Sequence, residues 1–416
     1  MSLLAPFKRL IGLTSQQNSQ HLNSARICGL QHILPSQEQL FGAIRESGIA
    51  DGLPIVIGKL YSTVRNALPP ENYLAHEPLE IIYDRGNFEG AFKASLKPFC
   101  ERQGITVSQK SKQPVVILDD GGFVSGFLST YFLERGCPVI IIEQTTSGLR
   151  YARTYSCPVV SVASSVLKRE VESVLIADSI VRAIIARSIL PGKHENWAIA
   201  GFGAVGAALC RALRAIHVRR VFVYDRDAQL RLAASNEGFE VVEDARTLVE
   251  KADILFGCTG EDFSKTVPRA DVNRRKTDLV CASCGSSDFE FGSWMVDTGE
   301  TCLHRRNGRS GGNGFADVSA EFATGSFRIL SGGFPINLDR RLKSDPVEDF
   351  VLTRMLVFVG ILQALDLAKD GRPQTNQIHA IRHDLEIAVH DVWFDAFPHR
   401  LSPEVTRRAR KILMQS

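Results

Sequence analysis

The order of apolar runs and helical patterns along the chain predicts an α/β protein. In the first half, short apolar runs alternate with stretches of helical periodicity; the runs are ARICGLQHI, GLPIVIGKLYST, QPVVILDDGG, CPVIIIEQTTSG and CPVVSVA. Strands that alternate with helices form βαβ units, and these units build parallel sheets. The first half therefore predicts an α/β domain with a doubly wound parallel sheet of its own.

A second series of apolar runs follows the helical stretch KREVESVLIADSIVRAIIARSIL, which ends before Pro191 and Gly192. The runs WAIAGFGAVG, RRVFVYDRD, ADILFGCTG and TDLVCASCG predict another parallel sheet, and a glycine-rich stretch at 305–316 predicts a mobile loop. The long helical pattern after Pro346 has few charges, which fits either an interior helix or a subunit interface. We therefore predict α/β domains at 1–185 and 186–345, and a C-terminal helical segment at 346–416 that returns to the first domain.

The glycines after Trp197 predict a dinucleotide site. Gly201, Gly203 and Gly206 form G-x-G-x-x-G between a strand and a helix, a spacing that allows a tight turn, close approach of phosphates and close helix packing. Asp225 ends the next strand about twenty residues on, where an acid binds the adenosine ribose and repels a 2′-phosphate. Arg226 weakens that preference a little. The pattern predicts NAD in a Rossmann domain, with a nucleotide-free α/β turn as the alternative.

Composition argues against several other classes of function. The net charge of +3 is small and the basic residues are scattered along all 416 residues, so nucleic-acid binding is not expected. The apolar runs predict no membrane span, because we expect none of them to reach the roughly 18 residues that a membrane-spanning helix requires. Nine cysteines, mostly in apolar runs, predict buried thiols in a reducing cytoplasm. Cys281 and Cys284 form C-x-x-C without a second pair at zinc spacing, which disfavours a metal site.

Two strand ends carry polar groups where parallel sheets bind ligands. ILDDGG places Asp119 and Asp120 after one buried strand, and IIEQTTSG places Thr145, Thr146 and Ser147 after the next. Ligands bind beyond the carboxyl ends of such strands, so both segments predict a shared crevice. The alternative is that Asp120 caps a turn and the hydroxyls cap a helix.

The collinear series LDDGG, EQTTSG, SSVLK, G-x-G-x-x-G, GCTG and PINL resembles the S-adenosylhomocysteine hydrolase family, whose segments read roughly LDDGG, EETTTG, SVTK, GYGDVG, TTG and VNL. The likeness runs from about Ile27 to Leu338 and is densest between Val115 and Gly260. It implies tightly held NAD that oxidises the 3′-hydroxyl of a nucleoside, elimination of the 5′-thiol, addition of water and return of the hydride. It also implies a hydrolase of one-carbon metabolism with a small nucleoside-type substrate, acting as a homo-oligomer.

The resemblance also implies the roles of individual residues. His32 matches an acid/base histidine, Asp120 a substrate-contacting aspartate, and Lys168 the lysine that helps to deprotonate the 3′-hydroxyl. Glu172 replaces an aspartate one helical turn from Lys168. The alternatives are an ordinary histidine in the core or at the surface, and an exposed helix salt bridge. The implied cofactor-binding residues are Thr145, Thr146, Ser147, Gly201, Gly203, Ala204, Val205, Gly206, Asp225, Thr259, Gly260 and Asn337.

Several positions depart from the family pattern. Gln144 replaces a glutamate, Ser286 and Ser287 stand where the family has a histidine near the nicotinamide, and Leu34 and Ser36 replace adenine-recognition residues. The family's G-H-P-S segment and its C-terminal lysine and tyrosine are missing. A site that has lost its polar partners discriminates poorly between bases, so a changed substrate is expected.

Three hypotheses follow. The chain is an enzyme that keeps this redox chemistry on an altered nucleoside or thioether, a strict adenosylhomocysteinase, or a catalytically silent NAD-binding paralogue. Dehydrogenases of the 2-hydroxy-acid or alanine type share only the Rossmann half of the pattern. Retention of the residues matched to His32, Asp120, Lys168 and Glu172 favours an enzyme.

Overall fold

Strands and helices alternate along the chain. The structure, a computed structural model, describes residues 5–17, 24–63, 71–76, 80–105, 113–296, 301–305, 314–322, 325–338, 346–369 and 377–415. Most of the predicted glycine-rich loop at 305–316 lies outside these residues.

The strands within the described residues are β1 (Arg26–Gln31), β2 (Ile55–Gly58), β3 (Leu74–His76), β4 (Glu80–Asp84), β5 (Val115–Asp119), β6 (Val139–Glu143), β7 (Val159–Ser161), β8 (Asn196–Ala200), β9 (Arg220–Tyr224), β10 (Glu240–Val241), β11 (Ile254–Gly257), β12 (Leu279–Ser283), β13 (Thr301–Arg305), β14 (Val318–Phe322), β15 (Gly325–Ile329) and β16 (Ile378–Ala380). The α-helices are α1 (Ala5–Gln17), α2 (Gln37–Glu46), α3 (Phe88–Arg102), α4 (Ser125–Leu133), α5 (Thr146–Ala152), α6 (Ser173–Ala186), α7 (Ala204–Ala215), α8 (Ala228–Asn236), α9 (Ala245–Lys251), α10 (Arg269–Val272), α11 (Gly292–Val296), α12 (Val347–Lys369), α13 (His383–Ala396) and α14 (Pro403–Leu413). Lys168–Glu172 forms a π-helical turn, and Phe263–Lys265 and Leu330–Gly333 form 3₁₀ turns.

The chain forms two compact units, each assembled from separate segments. Unit 1 comprises Met1–Pro78, Lys93–Glu172 and Asp345–Ser416, and unit 2 comprises Leu79–Phe92 and Ser173–Ser344. The C-terminal helices thus share a unit with the first α/β segment. Unit 2 also takes in 79–92, a piece of the predicted first domain, because β4 pairs with β13.

Unit 1 is built on a seven-stranded parallel sheet. Its strand order is β16-β7-β6-β5-β1-β2-β3, so the chain progresses in opposite directions on the two sides of the β1–β5 pair. Every residue of β5 and β6 is buried, as expected for strands covered on both faces. A Cβ atom on Gly29 of β1 would lie 1.8 Å from the carbonyl oxygen of Leu118, so only glycine fits at this contact with β5.

Unit 2 has the strand order of a Rossmann fold. Its main sheet runs β10-β9-β8-β11-β12-β15-β14, in which only the edge strand β14 is antiparallel to its neighbour. This order corresponds to 3-2-1-4-5-6 with one added edge strand. The prediction of two parallel-sheet domains, the second of Rossmann type, with a C-terminal helical region is therefore confirmed.

One helix corrects the expectation that no apolar stretch is long enough to cross a membrane. α12 has 23 residues, and its most apolar 18-residue window has a mean hydropathy of 1.8. By length and composition alone it could cross a membrane, and the same is true of core helices in many globular proteins. In this structure 83% of that window is buried, and α12 packs on α2, α13 and β6 within unit 1. Its interior position explains its apolar faces, and the homo-oligomer remains a prediction.

The cysteines are free thiols. Seven are buried, and Cys258 and Cys284 are partly buried. Burial raises the pKa of Cys28 to about 11 and that of Cys157 to about 12, which makes these thiols poor nucleophiles.

Candidate functional site

The side chains matched to catalytic residues lie at the carboxyl edge of the unit 1 sheet. His32 directly follows β1, Asp120 directly follows β5, and Lys168 and Glu172 bound the π-helical turn after β7. The strand order reverses between β1 and β5, which is where open α/β sheets bind ligands. His32 Nε2 lies 3.2 Å from Asp120 Oδ2, and Lys168 acts electrostatically on both groups.

A further residue, Lys59, completes the contacts of Asp120. It directly follows β2, is fully buried, and donates from Nζ to Asp120 Oδ1 over 2.8 Å. Burial by itself raises the pKa of Asp120, but Lys59 and His32 outweigh it and hold that pKa well below its usual range. Asp120 is therefore a carboxylate. The sequence signal was a lysine directly after an apolar strand, in VIGK.

His32 is neutral in this setting. Burial, helped by nearby cations, lowers its pKa to about 3 although Asp120 acts to raise it. Its Nδ1 is hydrogen-bonded to the hydroxyl of Ser62, and its Nε2 faces Asp120 Oδ2 at 3.2 Å. The Ser62 hydrogen bond and the nearby Asp120 carboxylate orient the His32 ring.

Lys168 and Glu172 form a close ion pair. Lys168 Nζ lies 2.7 Å from one carboxylate oxygen of Glu172 and 2.6 Å from the other. The side chains are only 19% and 13% exposed, which does not fit the alternative of an exposed surface salt bridge. The backbone forms a π-helical turn rather than the predicted α-helical one, and such turns occur frequently at functional sites. A ligand hydroxyl must compete with Glu172 for the lysine.

Arg354 of α12 is hydrogen-bonded to Gln31 and to the backbone of His32. Its guanidinium donates to Gln31 Oε1 at 3.0 Å and to the carbonyl oxygen of His32 at 3.1 Å, which fixes the segment after β1. Burial lowers the pKa of Arg354 to about 10. An arginine inside the apolar run VLTRMLVF was the available sequence signal, because arginine is rarely buried without a partner.

The two aspartates of ILDDGG have separate roles. The carboxylate of Asp119 accepts from the backbone N–H groups of Asp120, Phe123, Val124 and Ser125, and so holds the turn into α4. The alternative reading of this segment as a cap therefore applies to Asp119. Asp120 is left to contact Lys59 and His32.

The hydroxyls of EQTTSG mostly serve the local backbone. Thr145 caps α5, because its Oγ1 accepts from the N–H of Gly148 at 3.0 Å. Thr145 also donates to Glu143, and Ser147 donates to Thr145. Thr146 is exposed. A cofactor contact for these three residues remains a prediction.

In unit 2, the three motif glycines meet different surroundings. A Cβ atom on Gly201, which has a φ of 97°, would lie 2.6 Å from the Cys258 carbonyl oxygen. On Gly206 it would lie 1.9 Å from the carbonyl oxygen of Gly201, so helix and strand are in close contact. On Gly203 it would meet no described atom within 4 Å, which leaves that side open to a phosphate. Ala204 and Val205 then begin α7. The loop fits a dinucleotide.

Asp225 is tied to the same loop. One carboxylate oxygen accepts from the N–H of Phe202 at 2.7 Å, and the other from the N–H of Asp227 at 2.8 Å. Each oxygen keeps a second lone pair with which it can accept from a ribose hydroxyl. The position of Asp225 beside the glycine loop therefore fits the predicted ribose contact.

The remaining predicted cofactor residues lie near the ends of β11 and β12. The backbone N–H and the hydroxyl of Thr259 both donate to the carboxyl group of Glu290. Glu290 is buried, and no sequence motif indicated it. Burial raises the pKa of Glu290 to about 7. Gly260 adjoins Thr259 and has a φ of 66°. Asn337 follows Ile336, whose backbone N–H donates to the carbonyl oxygen of Ser283 at the end of β12. Cofactor contacts of these residues remain predictions.

The comparison with known families agrees with this geometry. Residues 171–305 match the family described as S-adenosyl-L-homocysteine hydrolase, NAD binding domain. This part of the chain belongs to that domain family. Its cofactor is NAD, which confirms the prediction from the glycine spacing and Asp225.

Two similar proteins match a longer part of this chain than the family does. Two proteins of Mycobacterium tuberculosis, the uncharacterized proteins Rv0104 (strain H37Rv) and MT0113 (strain CDC 1551), are each 25% identical over 327 residues, or 77% of this chain. The match covers 60% of those relatives' length. Among solved structures, a phosphoglycerate oxidoreductase from Vibrio cholerae is 13% identical with a TM-score of 0.34, covering 66% of this chain and 80% of its own.

Proposed function

We propose that the chain is an NAD-dependent enzyme of the adenosylhomocysteinase type, which oxidises the 3′-hydroxyl of a nucleoside or thioether nucleoside while NAD stays bound. The observation that carries the proposal is the meeting of His32, Asp120, Lys168 and Glu172 at one sheet edge of unit 1. A protein that only binds NAD needs none of these contacts. A small-molecule substrate, a cytoplasmic location and a homo-oligomer belong to the same proposal.

In the proposed reaction, the cofactor and the residues of the site have separate roles. Bound NAD supplies a hydride acceptor. Asp120, ionised and fixed by Lys59 and His32, accepts a hydrogen bond from a ribose hydroxyl through a free lone pair. Lys168 passes a proton to Glu172, to which it is already bonded, and then accepts the proton of the hydroxyl that is oxidised.

The half-reaction can be observed without knowledge of the product. Purified protein with bound NAD is mixed with a panel of nucleosides, and the absorbance of NADH is followed. We expect at least one nucleoside to reduce the cofactor. Lys168→Met should abolish the reduction while NAD binding and folding persist, and Lys97→Met, on the exposed face of α3, should behave like wild type. Reduction by Lys168→Met at the wild-type rate contradicts the assigned role.

The second candidate is a catalytically silent NAD-binding paralogue. It is favoured by the hydrogen bond of His32 Nδ1 to Ser62 and by the pairing of Lys168 with both oxygens of Glu172. The Lys168–Glu172 pair must open before either group can exchange a proton with a ligand. If no nucleoside in the panel reduces the bound NAD, this candidate replaces the first.

A further inference from the structure

The carboxyl edge of the unit 1 sheet gathers more positive than negative charge. Its cationic cluster consists of Lys59, Lys168 and Arg354. Two carboxylates lie among these cations: Asp120 pairs with Lys59, and Glu172 pairs with Lys168. Arg354 remains as the third cation, so the cluster carries one unbalanced positive charge.

Arg354 has no carboxylate at ion-pair distance among the described residues. Its guanidinium donates to two neutral oxygens, those of the Gln31 amide and the His32 carbonyl, and its Nε is buried without a hydrogen-bond partner. Asp120 and Glu172 influence it only at longer range. A buried guanidinium that lacks a paired anion is costly to keep, which indicates that an anion completes the site.

Nearby charges do not cancel this excess. The negative charge of Asp119 is bound by backbone N–H groups at the N-terminus of α4, where the helix dipole offsets it. Lys93 lies nearby, with its Nζ 4.8 Å from the centroid of the Phe123 ring, while Lys59 Nζ lies 5.0 Å from the same centroid. His32 contributes no charge, because it is neutral. Glu143, at the end of β6, is protonated near pH 7, because burial and the nearby Asp119 raise its pKa to about 8.

The side chains at this site differ in how far they are exposed to solvent. Lys59 and Arg354 are buried, whereas the side chains of Lys168 and His32 are 19% and 17% exposed. Lys168 is therefore the cation of the cluster that is most accessible to a ligand. Charges in a water-poor interior act more strongly than charges in solvent, so the buried cations contribute without direct contact.

From this arrangement we propose that the unit 1 site binds a ligand with an anionic group, a phosphate or a carboxylate, held by the field of Lys59, Lys168 and Arg354. The nucleoside part of that ligand rests on the proposed function. The anionic group rests on the charge balance alone.

The test is a calorimetric titration of the full-length protein saturated with NAD, so that adenosine nucleotides cannot bind in the cofactor site. The ligands are adenosine, adenosine 5′-monophosphate and adenosine 5′-carboxylic acid; the last two separate a phosphate from a carboxylate. A charge-assisted contact predicts that one of the anionic ligands binds roughly tenfold more tightly than adenosine. Arg354→Gln should remove most of that preference. Arg135→Gln, an exposed arginine after α4, should retain it.

Several outcomes overturn the proposal. Equal affinities for adenosine and the anionic ligands do so, as does no binding of either anionic ligand, or a preference that survives in Arg354→Gln. If Arg354→Gln does not fold, Lys168→Gln makes the same test from the exposed side of the cluster. The readout is the relative affinity of the ligands and not the reduction of NAD, so a preference for anions stands even if no nucleoside reduces NAD. Conversely, reduction of NAD by nucleosides without any anion preference overturns this inference and leaves the proposed function intact.

Discussion

Lys59 is one of the cations that, together with burial, lower the pKa of His32, and this gives a prediction at the scale of single residues. Lys59→Met removes a cation that lowers the pKa of His32 and leaves Asp120 paired with His32 alone. We expect the pKa of His32, about 3 in the wild type, to rise by roughly one to three pH units, as for a group that faces an opposite charge. Nitrogen-15 NMR of the imidazole during a pH titration measures this change.

The wild-type spectrum provides an independent check. It should show a neutral ring near pH 7, because burial and nearby cations lower the pKa of His32 to about 3. The matched control is Lys97→Met, which removes a lysine from an exposed position and should leave the His32 titration unchanged. An unaltered His32 pKa in Lys59→Met would show that the lysine does not set it.

Some of these residues could be found from sequence and others could not. His32 and Asp120 stand at the ends of apolar runs, so periodicity alone places them at the carboxyl edge of a sheet. The partnership of Lys59 with Asp120 requires the strand order, since β2 and β5 both flank β1 and this adjacency is a property of the folded sheet. Arg354 is separated from Gln31 by most of the chain, and no local pattern predicts such a contact.

The helix that follows the glycine loop offers a prediction at the scale of elements. Gly203→Ala should leave the stability of the NAD-free protein nearly unchanged, because the added methyl meets no described atom and the φ of −70° suits alanine. The same methyl occupies the side that is open to phosphate, so NAD affinity should fall by tenfold or more, roughly the loss of one charge-assisted contact. Thermal unfolding without NAD and calorimetric titration with NAD measure the two effects.

Gly206→Ala is the matched variant in the same helix. Its methyl would lie 1.9 Å from the Gly201 carbonyl oxygen, so α7 must move away from β8. We expect a loss of stability of roughly 1–3 kcal/mol even without NAD, the usual result of overpacking. Equal stability of the two alanine variants would contradict the different surroundings of the two glycines.

Element types were more predictable than their details. The stretch KREVESVLIADSIVRAIIARSIL has helical periodicity and is helical, but its first turn is a π-helical turn that ends where α6 begins. Nothing in the side-chain pattern of Lys168–Glu172 distinguishes the two helix types, because an i, i+4 pair can close in both. Similarly, Thr145 reads equally well as a ligand contact or a helix cap, and only the bond to Gly148 reveals the cap.

At the scale of the whole molecule, the path of the chain between the two units was the least predictable feature. The segment Leu79–Phe92 interrupts unit 1 and belongs to unit 2. Its strand β4 pairs with β13 over five positions far away in the sequence, and Phe88 packs edge-on against Phe334. A short strand that pairs across more than two hundred residues leaves no periodic signal, because its partner is chosen by the folded unit.

Asp288 anchors this segment to the rest of unit 2, and its removal gives the last prediction. Its carboxyl accepts from the N–H of Gly86 at 2.9 Å and from that of Phe88 at 3.2 Å. Asp288→Ala leaves both donors without this acceptor, so we expect a loss of stability of roughly 1–3 kcal/mol and faster hydrogen exchange at both amides. The control is Asp253→Ala, because Asp253 accepts from two backbone N–H groups elsewhere in unit 2, those of Glu195 and Asn196. That variant should speed exchange at its own two amides and leave Gly86 and Phe88 protected. If exchange at Gly86 and Phe88 is the same in Asp288→Ala as in wild type, the β4–β13 pairing and the aromatic contacts hold the segment without Asp288.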